Sequence, residues 1–267
     1  MNNECLSESI YVNRPSLEDK ILMIKHILCR MNVESEVSVE DIARIYIDES
    51  YSEVRVFLEK AYILSYMDGS NILRKKDIVQ LFDVVNPYNL CEKQLKDECR
   101  YNAAYHEAAY VVVGELLESG ITAISALTQC GTAVTQGITY RIKTLKYPHD
   151  EIRIDLAPIA AMKLGYECDK YSVITEWTKT EVRNCVLKYA AEGLDKILLM
   201  DSEEKHYSDF FRIEQKKAMI KILEESVEDA KKLIADHKTF YEAMADKLYK
   251  DGIILASEIQ QLKNEVM

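Results

Sequence analysis

Sequence typical of β-strands is confined to one region of this chain, residues 120–142. Two runs there, Gly120 to Leu127 and Ala133 to Ile142, are rich in β-branched residues and are separated by Gly131, as in a strand pair. Elsewhere turn-forming residues are scarce, with 8 glycines and 4 prolines in 267 residues, and apolar residues recur at helical spacing. The chain is therefore predicted to be mainly α-helical with one small β-sheet.

A first domain is predicted over residues 12–87 as a bundle of four helices. Ser38 and the acidic residues that follow it are typical of a helix N-terminus, as is a serine before the longest helix. The predicted helices run from Leu17 to Met31, from Ser38 to Tyr46, from Ser50 or Ser52 to Asp68, and from Arg74 to Phe82. Asn86 and Pro87 then interrupt the helical pattern and indicate a linker.

A second domain is predicted over residues 91–264. It begins with a helix that includes Ala104 to Gly114 and has small, apolar side chains on one side. This helix leads into the strand pair. A loop is expected at Tyr147–Asp150. Helices are then expected over Asp155 to Gly165, Thr178 to Ala191, Ser208 to His237 and Thr239 to Tyr249, and the segment Ala256 to Leu262 follows them.

Charge and composition narrow the classes of partner and compartment. The formal net charge of −11 argues against nucleic acid or an anionic membrane as the main partner. The sequence has no run of about 18 apolar residues and no basic-then-apolar N-terminal signal. Its seven cysteines are dispersed without a CxxC pair, which favours free thiols in a reducing compartment. A soluble, cytoplasmic protein without a membrane span is predicted.

The helix that contains His106 and Glu107 is close to the metal-binding helix of zinc proteases. In a His-Glu-x-x-His helix, histidines four residues apart bind one zinc ion, and the glutamate polarises the zinc-bound water. Here the position four residues after His106 is Tyr110. A neutral phenol, whose ordinary pKa is about 10, is a poor zinc ligand beside an imidazole.

The three residues of this incomplete motif have alternative interpretations. His106 is either a vestigial metal ligand or a histidine retained for packing and hydrogen bonding, and we favour packing. Glu107 is a vestigial general base, because without a metal there is no activated water for it to deprotonate. Tyr110 is expected to fill part of the space left by the metal and second histidine, and to donate its hydroxyl to Glu107 or to a backbone carbonyl.

In the order of these segments the chain resembles the FtsH family of ATP-dependent, membrane-bound zinc proteases. Residues 101–262 resemble its peptidase domain, and residues 14–85 resemble the small helical lid of its AAA ATPase module. The similar segments are Tyr105 to Ala108, the strand pair, Leu156 to Ala161, Lys205 to Asp209, Met244 to Leu248, and, in the lid, Arg14-Pro15 and Val39 to Ala43. The resemblance implies a zinc cofactor and assembly as a six-membered ring.

The departures from the family pattern concern both activities. No GxxxxGK[ST] loop occurs, so no nucleotide hydrolysis and no ATPase core are expected. The lid turn that faces the nucleotide in the family is replaced by Asp48-Glu49-Ser50-Tyr51. The family's third zinc ligand, an aspartate, falls near Thr178 by counting. Carboxylates that could serve nearby, if the count is shifted, are Asp169, Glu176 and Glu181.

These departures predict a degenerate, catalytically silent relative of the FtsH peptidases, without a bound cofactor. It would act through protein partners, either further copies of itself or a true FtsH, and not through nucleic acid. The rival hypothesis is an active zinc metalloendopeptidase that takes replacement ligands from elsewhere, with His149 as the histidine to check. A decayed gene product is disfavoured, because helix caps and amphipathic faces are intact throughout.

Overall fold

The computed structural model describes residues 15–82, 89–90, 97–130, 134–143, 148–166 and 209–267. Within these residues it contains ten helices and six strands, which confirms the predicted mainly α-helical class. The chain divides into two compact units, Met1–Phe82 and Asp83–Met267. None of the helices in the described part is both long and apolar enough to cross a lipid bilayer.

The first unit is a small helical bundle with a minimal strand pair. Its elements are α1 (Leu17–Met31), β1 (Glu34–Ser35), α2 (Val39–Ile45), α3 (Tyr51–Met67), β2 (Ile72–Leu73) and α4 (Lys75–Gln80). The four predicted helices are confirmed. The parallel pairing of Glu34 with Ile72 and Ser35 with Leu73 was not predicted.

Serine caps fix the starts of three of these helices, with Ser16 capping α1. The backbone N–H of Asp41 donates to Ser38 Oγ at 3.0 Å, which caps α2. At α3, Ser50 and not Ser52 is the cap: the N–H of Glu53 donates to Ser50 Oγ, and the Glu53 carboxylate accepts the N–H of Ser50 at 2.7 Å. This reciprocal pair satisfies two N–H groups that a helix leaves without internal partners.

The second unit is built around a four-stranded sheet. Its elements are β3 (Asn89–Leu90), α5 (Asp97–Leu116), β4 (Gly120–Cys130), β5 (Val134–Lys143), α6 (Pro148–Asp155), α7 (Ala157–Lys163), α8 (Asp209–Asp236), α9 (Lys238–Asp251), β6 (Ile253–Leu255) and α10 (Ala256–Val266). The predicted strand pair is confirmed as β4 and β5, and the two predicted long tail helices as α8 and α9. The helix predicted over residues 178–191 lies outside the described residues.

Strand β4 is the centre of the sheet. It pairs antiparallel with β5 from Gly120, opposite Lys143, to Cys130, opposite Val134. Its other edge is shared by β6, at Ile124–Ala126, and by β3, at Thr128 and Gln129. The strands β3 and β6 were not predicted, because two or three residues are too few to show an alternating pattern.

The expectation of a loop at Tyr147–Asp150 was wrong where the structure describes it. Pro148 opens helix α6, which continues to Asp155. Proline is favoured at the first position of a helix because the N–H it lacks would have no helical partner there. Leu156 separates α6 from α7, so the single helix expected from Asp155 to Gly165 begins earlier and is divided in two.

Helix α5 lies in the core of the second unit, between the sheet and the tail helices. The side chains of Ala104, Ala108, Val111 and Val112 are completely buried. Helix α9 packs against it, and the buried Tyr241 donates its hydroxyl to the carbonyl of Tyr105 at 2.9 Å. The residues of the zinc-protease-like motif therefore sit on a helix that is fixed on several sides.

Candidate functional site

Helix α5 brings His106, Glu107 and Tyr110 together, as the sequence predicted. The rings of His106 and Tyr110 lie one turn apart, with their centroids 5.2 Å from each other and their planes at 69°. This is the edge-to-face arrangement that aromatic rings prefer. Both side chains are half-buried. The phenol therefore packs against the imidazole from the position where the zinc-protease motif has its second histidine.

The carboxylate of Glu107 points at the sheet. Glu107 is only 4% exposed, and it accepts a hydrogen bond from Thr139 Oγ1, on β5, at 2.5 Å. Thr139 Oγ1 lies in turn 3.0 Å from Ser125 Oγ on β4. The donor to Glu107 is thus Thr139 and not Tyr110. The other acceptor expected for the Tyr110 hydroxyl, a backbone carbonyl, stays a prediction.

A glycine in β5 makes room for this carboxylate. A Cβ atom placed on Gly137 would lie 1.9 Å from Glu107 Cγ and 2.4 Å from Glu107 Cδ. No side chain tolerates such contacts without moving its neighbours. Glu107 therefore occupies the space that any other residue at position 137 would need, which locks α5 and β5 together.

Burial changes the acidity of Glu107. Removal from water raises the pKa of its carboxyl group to about 7, and this outweighs the hydrogen bond from Thr139, which lowers it. Desolvation disfavours the charged form because the protein interior solvates a carboxylate poorly. Near neutral pH, Glu107 consequently exchanges between a neutral acid and a buried anion.

A second glycine, on α5 itself, receives a side chain from β5. The guanidinium of Arg141 covers Gly114 so closely that a Cβ at position 114 would coincide with Arg141 Nη1. The guanidinium also lies 3.4 Å from the carbonyl oxygens of Tyr110 and Gly120. Burial lowers the pKa of Arg141, and the charge of Glu115 opposes this shift. Helix and strand therefore each have a glycine that makes room for a side chain of the other: Gly137 for Glu107, and Gly114 for Arg141.

The last helix also holds α5 in place, through Glu115. This buried carboxylate accepts hydrogen bonds from the N–H of Thr122 at 2.9 Å and from Gln260 Nε2 at 2.7 Å. The ammonium of Lys263 donates to the carbonyl of Glu115 at 3.0 Å. The carboxyl end of α5 is therefore tied to both β4 and α10.

The donor set in the described part of the chain does not suit a zinc ion. No group of three or more His, Cys, Asp and Glu side chains there is arranged to hold a metal. Thr178 and the alternatives Asp169, Glu176 and Glu181 lie outside the described residues. His149 is on α6, beside α8, and the described residues give it no place in a metal-binding group.

Sequence reasoning missed four residues that shape this site, namely Gly114, Gly137, Thr139 and Arg141. One signal was available. A glycine inside a strand pattern often marks a close approach by another group, and Gly137 stands within the predicted second strand. The partner that approaches it, Glu107, is 30 positions away along the chain, so no local pattern could identify it.

Comparison with known proteins gives one distant relationship. No family model matches the chain. The ATP-dependent zinc metalloprotease FtsH 1 of Thermomicrobium roseum is 20% identical over 278 aligned positions, which cover 96% of this chain and 42% of that protein. The chain thus spans about two fifths of the length of the relative that it matches. The similarity supports an FtsH-like, metallopeptidase-like relationship.

Proposed function

We propose that this protein is a catalytically inactive relative of the FtsH zinc metallopeptidases that works through protein–protein interaction. In this proposal the first unit corresponds to the lid of the ATPase module and the second to the peptidase domain. The single observation that carries the proposal is the state of Glu107: the residue at the position of the general base is buried under β5 and bonded to Thr139.

Zinc-dependent hydrolysis needs features that these residues do not provide. A catalytic zinc usually has three protein ligands and a water in an open fourth position. The His-Glu-x-x-His motif supplies two histidine ligands from one helix. Of these two histidines only His106 is present here, and the ring of Tyr110 packs against it. A carboxylate covered by a strand is also poorly placed to take a proton from water, because a general base must reach the proton that it abstracts.

The direct test is metal content combined with proteolysis. The purified chain should contain less than stoichiometric zinc, and it should not degrade casein with or without added zinc. A true FtsH, assayed in parallel with ATP and with a chelator, gives the positive control. Stoichiometric zinc bound at His106 together with chelator-sensitive cleavage would establish the rival hypothesis of an active metallopeptidase with replacement ligands.

The substitution Tyr110→His should increase zinc affinity by roughly 100-fold, because one ligand contributes about a quarter of the binding energy of a four-ligand site. Competition with a chromogenic chelator measures the change. Tyr110→Phe is the matched control, since it removes the hydroxyl without adding a ligand and should leave zinc affinity unchanged. Proteolysis should remain weak unless Thr178→Asp is added, and equal zinc affinity for both variants would contradict the assignment of position 110.

Self-association is the interaction that the family resemblance suggests first. We expect a concentration-dependent oligomer that is weaker at low salt, because like charges repel and each chain carries a net charge of −11. Sedimentation velocity at several protein and salt concentrations measures it. A single monomeric species at physiological salt and all concentrations would exclude a ring of this chain alone, and would leave a true FtsH as the partner to test.

A further inference from the structure

A cleft between α6 and α8 lies outside the site described above. It encloses about 430 Å³. Helix α6 contributes His149, Asp150 and Arg153 to its lining, and α8 contributes a polar face around Ser226. All of these elements are in the second unit and in the described part of the chain.

Arg153 crosses the cleft, and each of its three side-chain nitrogen atoms donates to a carboxylate. Its Nη1 donates to Asp150 Oδ1 at 2.9 Å. Its Nε and Nη2 donate to Asp229 Oδ2 at 3.0 and 2.7 Å. A guanidinium whose three nitrogen atoms all donate to carboxylates has its charge compensated and offers little to an anion, so the cleft is not suited to phosphate or another anionic group.

Some hydrogen-bond acceptors of the cleft, in contrast, have no donor among the described residues. The second oxygens of the two carboxylates, Asp150 Oδ2 and Asp229 Oδ1, accept no hydrogen bond from the described residues. Within the part of the chain that the structure describes, the ion pair of Glu225, on the same face of α8, is a long and exposed one with Lys221, at 3.8 Å. Three carboxylates and one guanidinium give the lining an excess of two negative charges.

Ser226 provides an independent indication of a ligand. It is 3% exposed and lines the cleft, yet no hydrogen bond joins its hydroxyl to the described residues. A serine inside a helix commonly donates to the carbonyl four residues earlier, and Ser226 makes no such bond to Ile222. The hydroxyl faces a space where a ligand would satisfy it.

His149 adds no positive charge to the cleft at neutral pH. Burial, and then the adjacent charge of Arg153, lower the pKa of its imidazole, and together they outweigh the charges of Asp150, Glu225 and Asp229, which raise it. The ring therefore stays neutral and does not offset the carboxylates. Ile222 adds an apolar wall, against which an alkyl chain can pack.

We propose that this cleft binds an alkylammonium group, with its three N–H donors directed at the free carboxylate oxygens and at Ser226 Oγ. The ammonium group comes either from a free polyamine or from a lysine side chain of a partner protein. The inference rests on the cleft alone and does not depend on the proposed function.

Isothermal titration calorimetry on the full chain tests this proposal with two probes. One is spermidine, and the other is a short, terminally blocked peptide with a single lysine, compared with the same peptide carrying norleucine. We expect saturable one-to-one binding of at least one ammonium probe and none of the norleucine peptide. Binding of spermidine alone indicates a free polyamine, whereas binding of the lysine peptide indicates a partner protein.

Variants within the cleft separate specific binding from general attraction to an acidic protein. Ser226→Ala should weaken binding about fivefold through the loss of one hydrogen bond, and Glu225→Gln about threefold with a smaller dependence on salt. Glu224→Gln is the matched control, because this exposed neighbour carries the same charge but does not line the cleft. The proposal would be overturned if neither spermidine nor the lysine peptide bound. Equal weakening of binding by Glu224→Gln and Glu225→Gln would also overturn it.

Discussion

Replacing Gly137 by alanine is expected to destabilise the second unit by about 3 kcal/mol, the upper part of the usual range for an overfilled core. The new Cβ would lie 1.9 Å from Glu107 Cγ, so strand and helix must separate or Glu107 must leave its site. Neither is easy, because Glu107 is buried and its Cγ is near the helix backbone. Urea unfolding followed by circular dichroism measures the loss.

A double-mutant cycle identifies the cause. Glu107→Ala removes the atoms that the new methyl group would meet, so the cost of Gly137→Ala should be much smaller in that background than in the natural chain. A coupling energy of about 2 kcal/mol is expected for residues in direct conflict. A cost that is the same in both backgrounds would mean that Glu107 does not occupy the space beneath β5.

Stability should also fall as pH rises, through the same carboxylate. The unfolded chain releases the Glu107 proton near pH 4.5 and the folded chain near pH 7, so the folded state binds more protons between these values. Stability contributed by the neutral acid is therefore complete below pH 4.5, declines as pH rises, and is lost above pH 7. A shift from 4.5 to about 7 corresponds to about 3 kcal/mol.

The variant Glu107→Gln isolates this effect, because glutamine resembles the neutral acid at every pH. It should match the natural chain near pH 4.5 and exceed its stability by about 3 kcal/mol at pH 8. Glu265→Gln serves as the control, since Glu265 is exposed on α10. Parallel stability curves for Glu107→Gln and the natural chain between pH 4.5 and 8 would show that the carboxylate is solvated and not buried.

The elements that sequence predicted well are those with local causes. Helix α1 matches its predicted bounds, and the Ser38 cap was recognised from the serine and the acidic residues that follow it. Strands β1, β2, β3 and β6 were missed because each has only two or three residues and exists through pairing with a distant segment. Their stability comes from tertiary contacts, which produce no alternating pattern of apolar residues in the sequence.

The candidate site shows the same division. Sequence placed His106, Glu107 and Tyr110 on one helix, because spacing along a helix determines which residues are neighbours. It could not determine which way Glu107 points. That depends on Gly137 and Thr139, which reach the helix only because β5 pairs with β4, and the expectation of a bond from Tyr110 to Glu107 failed for this reason.

The contacts of Glu115 have a consequence for how the second unit opens. Gln260 and Lys263 join the final helix to the carboxyl end of α5, and these two segments are 145 positions or more apart in the chain. Helices joined in this way are expected to belong to one cooperative opening unit. The carboxyl end of α5 is thus expected to open only together with α10.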